Sequence, residues 1–170
     1  MKFKTPLLIF FGLVLFSCKE LPKEKKSDAE NLVIEAEHPA VPSSYSDLEG
    51  NPIELAEYKG KRVLLNYWAT WCRPCIEEMP DLLKLQAILE QENYVFLLAS
   101  DESVEKIKTF KAARGFDFKF ITYNGTYGAQ QINALPVTFI YNEIGEQVFR
   151  FDGAMDWNTP ELIEQLKILD

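Results

Sequence analysis

Two near-continuous apolar runs, Arg62 to Trp68 and Tyr94 to Ala99, stand on either side of a segment in which Leu82, Leu85 and Leu89 recur at helical spacing. A strand that is apolar on both faces belongs inside a sheet with a layer packed above and below it. A strand, a helix and a strand in succession pair in parallel through a right-handed crossover. The pattern therefore predicts an α/β domain organised around one sheet.

The rest of the chain extends that sheet. Asp47 to Leu55 reads as a hairpin turning at Gly50 and Asn51. Ser103 is placed to cap a helix carrying Val104, Ile107 and Phe110 on one face, and Phe116, Phe118 and Phe120 then alternate with Asp117 and Lys119 in strand rhythm. A short helix around Tyr127 to Ile132 precedes a hairpin of Val137–Tyr141 and Gln147–Phe151 through Gly145. Thr159 and Pro160 open a last helix that faces inward with Leu162, Ile163, Leu166 and Leu169. The late hairpin adds antiparallel strands, so the expected architecture is a mixed central β-sheet flanked by helices on both faces.

The N-terminus reads as an address. Lys2 and Lys4 precede an apolar run from Leu7 to Phe16, and Ser17 offers a small residue before Cys18, which is the layout of an export signal over residues 1–17. Ten residues at about 1.5 Å each cannot cross a hydrocarbon core of roughly 30 Å. Leu15-Phe16-Ser17-Cys18 resembles the bacterial lipobox, which implies lipidation of Cys18 and attachment to a lipid bilayer; plain secretion with cleavage nearby is the alternative. From Lys19 to Glu30 eight of twelve residues are charged, too many to bury a core, so 18–40 reads as a tether and 41–170 as the domain. With a formal charge of −8 and no dense basic run in the domain, a nucleic acid is not an expected partner.

Chemistry concentrates in WATWCRPCIEEMP, Trp68 to Pro80, where two thiols lie three residues apart directly after a buried strand. Of three cysteines, lipidation would remove Cys18 and leave Cys72 and Cys75 as an isolated pair. A structural zinc site wants four ligands, yet beyond this pair the chain offers only His38, in the tether, and Cys18, which lipidation would consume. A cysteine hydrolase wants a histidine partner, and His38 is again the only one. At the start of a helix, unpaired backbone N–H groups and the macrodipole favour an anion, so Cys72 is the expected nucleophile. Cys75, one turn on, is the thiol expected to resolve a mixed disulfide. Pro74 stiffens the intervening turn. Arg73 reads either as a positive charge that tunes the thiolate or as an ordinary solvated side chain. Glu78 reads either as a surface glutamate beside Glu77 or, if buried, as a proton carrier for the sulfurs.

The WCxPC core, the apolar strand before it, Leu135-Pro136-Val137 and the order of elements resemble a thioredoxin-fold oxidoreductase. More narrowly, VLLNYWATWCRPCIEEMPDL and ALPVTFIYNEIGEQ are similar to the exported, membrane-anchored thiol–disulfide oxidoreductases of the TlpA and ResA type. A peroxidase of the related fold would place threonine where Ala69 stands. The resemblance favours the acid–base reading of Glu78, because the anchored type carries a glutamate at this offset, and Asn66, standing where ordinary thioredoxins carry a buried aspartate, strengthens it. It implies a cis Leu135–Pro136 peptide facing the sulfurs, with the Leu135 backbone pairing with an extended substrate and Trp71 forming a wall of the site. It further implies a cofactor-free reductant acting on disulfides of exported proteins, recharged by a membrane electron donor and linked to cytochrome c maturation. A disulfide donor, or a lipid-anchored binding module without redox turnover, is the alternative.

Overall fold

The computed structural model describes residues 44–169. The export signal, Cys18, His38 and the tether lie outside the described residues.

Seven strands form one sheet in the spatial order β2-β1-β5-β4-β3-β6-β7. They are β1 Tyr45–Ser46, β2 Pro52–Ile53, β3 Arg62–Tyr67, β4 Tyr94–Ser100, β5 Lys119–Tyr123, β6 Val137–Tyr141 and β7 Gln147–Asp152. β3, β4 and β5 are parallel, whereas β1, β6 and β7 run antiparallel to their neighbours, which makes the sheet mixed. The hairpin of β1 and β2 turns at Gly50, whose φ of 90° suits a residue without a Cβ. β5 begins and ends later than the Phe116–Phe120 rhythm suggests. Phe116 and Phe118 precede the strand yet still pack into the core, because ring burial does not require ladder hydrogen bonds.

Three α-helices complete the frame: α1 Arg73–Leu89, α2 Val104–Arg114 and α3 Pro160–Lys167. Helical elements flank both faces of the sheet, but all three α-helices lie on one of them. The buried side chains of α1, α2 and α3 all join one core with Leu64, Trp68, Phe96, Leu98 and Ile140. The opposite core holds Tyr45, Leu65, Tyr67, Leu97, Tyr123 and Phe139, covered among the described residues by two 3-10 turns, Leu55–Tyr58 and Tyr127–Gln130. Topology explains the asymmetry. The crossovers β3-α1-β4 and β4-α2-β5 step in the same direction across the sheet, so right-handedness puts both helices on the same side.

Local signals match most boundaries. Ser103 caps α2 by accepting the Lys106 N–H, and Gly115 ends that helix in the left-handed conformation. Thr159 occupies the N-cap of α3 but makes no side-chain cap bond, leaving Pro160 as the local start signal. Pro80 lies inside α1, where it has no N–H to offer the Ile76 carbonyl.

One edge of the sheet collects the site. The register Tyr67↔Ala99 and Ser100↔Thr122 aligns the C-terminal ends of β3, β4 and β5. The loop from Trp68 to Cys72 leaves from that edge. Open α/β sheets carry their chemistry there because several loops converge on it.

Candidate redox site

Cys72 is the N-cap of α1, and its Sγ accepts the Cys75 backbone N–H at 3.3 Å. The two sulfurs are joined as a disulfide. Both residues are buried, whereas Trp71 beside them is 69% exposed, more than a half-covered wall would be. Trp68, on the other side of Ala69 and Thr70, is fully buried and packs against Phe110 and Phe120.

Glu78 lies one turn beyond Cys75 on the inner side of α1 and is buried. Its Oε2 accepts the Met155 N–H at 3.1 Å and the Trp157 Nε1–H at 3.0 Å, and its Oε1 accepts from Asn66 Nδ2 at 3.0 Å. Asn66 uses the same amide nitrogen on Thr138 Oγ1 at 2.9 Å, which links β3 and β6 to the carboxyl. Burial pushes Glu78 above the usual carboxylate range, and the three donors pull it partly back. Such a carboxyl holds a proton more readily than a solvated one does. A cleft of about 320 Å³ lined by Pro74, Glu77, Glu78, Asp81, Met155 and Asp156 opens beside it.

Arg73 does not offer a free positive charge to the sulfurs. Its Nε is 2.7 Å from Glu77 Oε1 in a solvent-exposed pair, and that pairing raises its pKa. Pro74 occupies the first turn of α1, exposed between the two cysteines. The Leu135–Pro136 peptide is cis. The register Tyr67↔Val137 brings Pro136 to the end of β3 from which the redox loop departs. Among the described residues no three His, Cys, Asp or Glu side chains gather in a way that would hold a metal ion. None of their helices is long and apolar enough to cross a membrane.

Sequence reasoning missed several contributors. Trp157 and Met155 reach Glu78 from 77 or more residues away, and nothing local to either marks them as its partners. Thr70 is held by Glu102 through two hydrogen bonds, another pairing invisible at short range.

A disulfide at a helix N-cap, at the edge of a thioredoxin-like sheet and backed by a buried carboxyl, defines a thiol–disulfide oxidoreductase. The AhpC/TSA family pattern matches residues 35–146, and the chain belongs to that family. A relative named thiol-disulfide oxidoreductase ResA from Bacillus cereus is 33% identical over 150 residues, spanning 86% of this chain and 84% of its own length. The protein of the same name from Bacillus anthracis is 35% identical over 153 residues, with the same coverage. Solved structures show the same fold. A secreted disulfide oxidoreductase of Mycobacterium tuberculosis, homologous to Escherichia coli DsbE, superposes with a TM-score of 0.61 at 21% identity, covering 75% of this chain and 96% of its own. The exposed lipoprotein thioredoxin of Streptococcus pneumoniae gives 0.60 at 21% identity, covering 71% and 93%.

Proposed function

We propose that the protein is an extracytoplasmic, lipid-anchored reductant of disulfides in exported proteins, with Cys72 and Cys75 as its dithiol. The observation that carries the reading is a helix-capping Cys72 joined to Cys75, with a buried carboxyl one turn behind the pair. The Cys72 thiolate, favoured by the helix N-terminus and by the Cys75 N–H, attacks one sulfur of the substrate disulfide. The substrate S–S bond breaks, and the departing sulfur leaves as a thiolate that takes a proton. Cys75, deprotonated by Glu78, then attacks Cys72 Sγ and releases the second substrate thiolate, which recovers a proton. Two electrons and two protons pass from the enzyme dithiol to the substrate.

The remaining assignments belong to the same reading. Leu135 makes no backbone hydrogen bond among the described residues, which leaves its N–H and C=O available to an extended substrate segment beside Pro136. Trp71, largely exposed, forms the outer wall. Pro74 limits the flexibility of the loop between the sulfurs. Lipidated Cys18 holds the domain at a bilayer, a membrane protein returns the enzyme to its dithiol form, and cytochrome c apoproteins are among the substrates.

Trapping tests this directly. Cys75→Ser, reduced and mixed with an exported protein carrying a disulfide, should accumulate a mixed disulfide through Cys72, whereas Cys72→Ser should accumulate none. Absence of an adduct with Cys75→Ser would leave a binding module without redox turnover as the better reading.

A further inference from the structure

Residues 68–70, which lead from β3 into the redox loop, are held by side chains from two distant parts of the chain. Glu102, between β4 and α2, places Oε2 2.6 Å from the Thr70 backbone N–H and Oε1 2.9 Å from Thr70 Oγ1. One carboxylate thus takes both donors of one residue. Tyr127 donates its hydroxyl to the Trp68 carbonyl at 2.8 Å and accepts the Asp101 N–H at 3.1 Å, a second tie between the same two loops.

This arrangement exceeds what the start of α2 requires. Ser103 already caps that helix, so Glu102 is free to reach 32 residues back in the chain. Its side chain is only 6% exposed, while Lys106, whose Nζ lies 3.5 Å from Oε1, is 66% exposed. The solvated ammonium offsets the carboxylate's charge only in part, and the remainder acts beside a residue two positions before Cys72. The charged residues near it in the chain supply no unpaired cation to cancel the remainder. Arg73 is paired with Glu77, Glu78 on α1 is itself acidic, and Asp101 beside Glu102 adds the same sign.

We propose that Glu102 is a positioning residue for disulfide exchange: it latches the Trp68–Thr70 loop to the start of α2, sets how Trp71 and Cys72 face a substrate, and makes the dithiol a stronger reductant. The inference rests on the redox function proposed above. Its electrostatic half follows from sign alone. A fixed negative charge disfavours the Cys72 thiolate, and a dithiol whose thiolate is disfavoured gives up its electrons more readily.

Three variants separate the latch from the charge. Glu102→Gln keeps an acceptor for the Thr70 N–H and removes the charge. In it the Cys72 thiol pKa should fall, and the equilibrium with glutathione should move toward the dithiol by about three- to tenfold, tenfold being about 30 mV for this couple. Thr70→Val removes one latch bond and keeps the charge, so its potential should stay at the wild-type value while the amide of residue 70 exchanges faster with solvent. Glu102→Ala should show both effects. A wild-type thiol pKa and potential in Glu102→Gln would overturn the electrostatic role. An amide of residue 70 that exchanges as slowly in Thr70→Val and Glu102→Ala as in wild type would overturn the latch. If the wild-type pair itself fails to open and close, the proposed function falls instead, and amide exchange still reads the latch.

Discussion

Along the first turns of α1, Arg73, Pro74 and Glu77 point to solvent, while Cys75, Glu78 and Met79 point into the core. The contrast is sharpest between Glu77 and Glu78, adjacent in the chain. Glu77 is 61% exposed and meets one exposed guanidinium. Glu78 is held by three uncharged donors from β3 and from the segment between β7 and α3, with no cation bonded to it among the described residues. Water and counter-ions screen the first. The second gains its proton affinity from burial, and its position is fixed by long-range partners. Identical side chains one residue apart therefore have different chemistry because a single step around the helix moves one of them out of water.

The largest effect should come from the inner side further along the helix. Leu82→Ala should cost about 2–5 kcal/mol of stability in a denaturant titration, since a fully buried leucine leaves a cavity. The midpoint potential of the disulfide should stay near that of wild type. Next comes Glu78→Gln, which should slow disulfide reduction on the order of tenfold or more and flatten its pH profile above the free carboxylate value of 4.5. An unchanged profile would remove Glu78 from the proton transfers.

A smaller effect is a pH-dependent stability difference. Burial sets the folded pKa of Glu78 above its free value of 4.5, so between those two values the folded chain binds more protons than the unfolded chain. Stability from this group is complete below about pH 4.5 and lost as pH rises through the folded pKa. Wild-type minus Glu78→Gln stability should therefore decline with rising pH across that window. A flat difference would mean that Glu78 is solvated like its neighbour. The smallest effects belong to the outer side: Glu77→Gln and Arg73→Ala should each leave turnover within about twofold of wild type, as screened surface pairs do.

The same contrast explains what could be read from the chain alone. The strands β3 and β4, the helix between them and the late hairpin were legible because period and composition are local properties, and Cys72 and Cys75 were legible because their spacing is. The burial of Glu78 was left open by the sequence, although the helical face it shares with Cys75 followed from the offset between them. The hydrogen-bond partners of Glu78 did not, because Trp157 and Met155 meet it only once the segment before α3 packs against α1. For the same reason the sequence showed neither the bonding of Thr70 to Glu102 nor the engagement of Arg73 by Glu77 rather than by a sulfur. The unequal covering of the two sheet faces depends on the direction of successive crossovers, which strand order decides and periodicity does not.

The proposed function stands or falls on whether the Cys72–Cys75 pair is a reversible couple poised to donate electrons. Equilibrating the protein with glutathione buffers of graded ratio, and counting free thiols by alkylation and mass spectrometry, measures this directly. A two-electron transition is expected with a midpoint below about −180 mV, on the reducing side of known disulfide donors. A midpoint above that value, or a thiol count that does not change across the series, would contradict it.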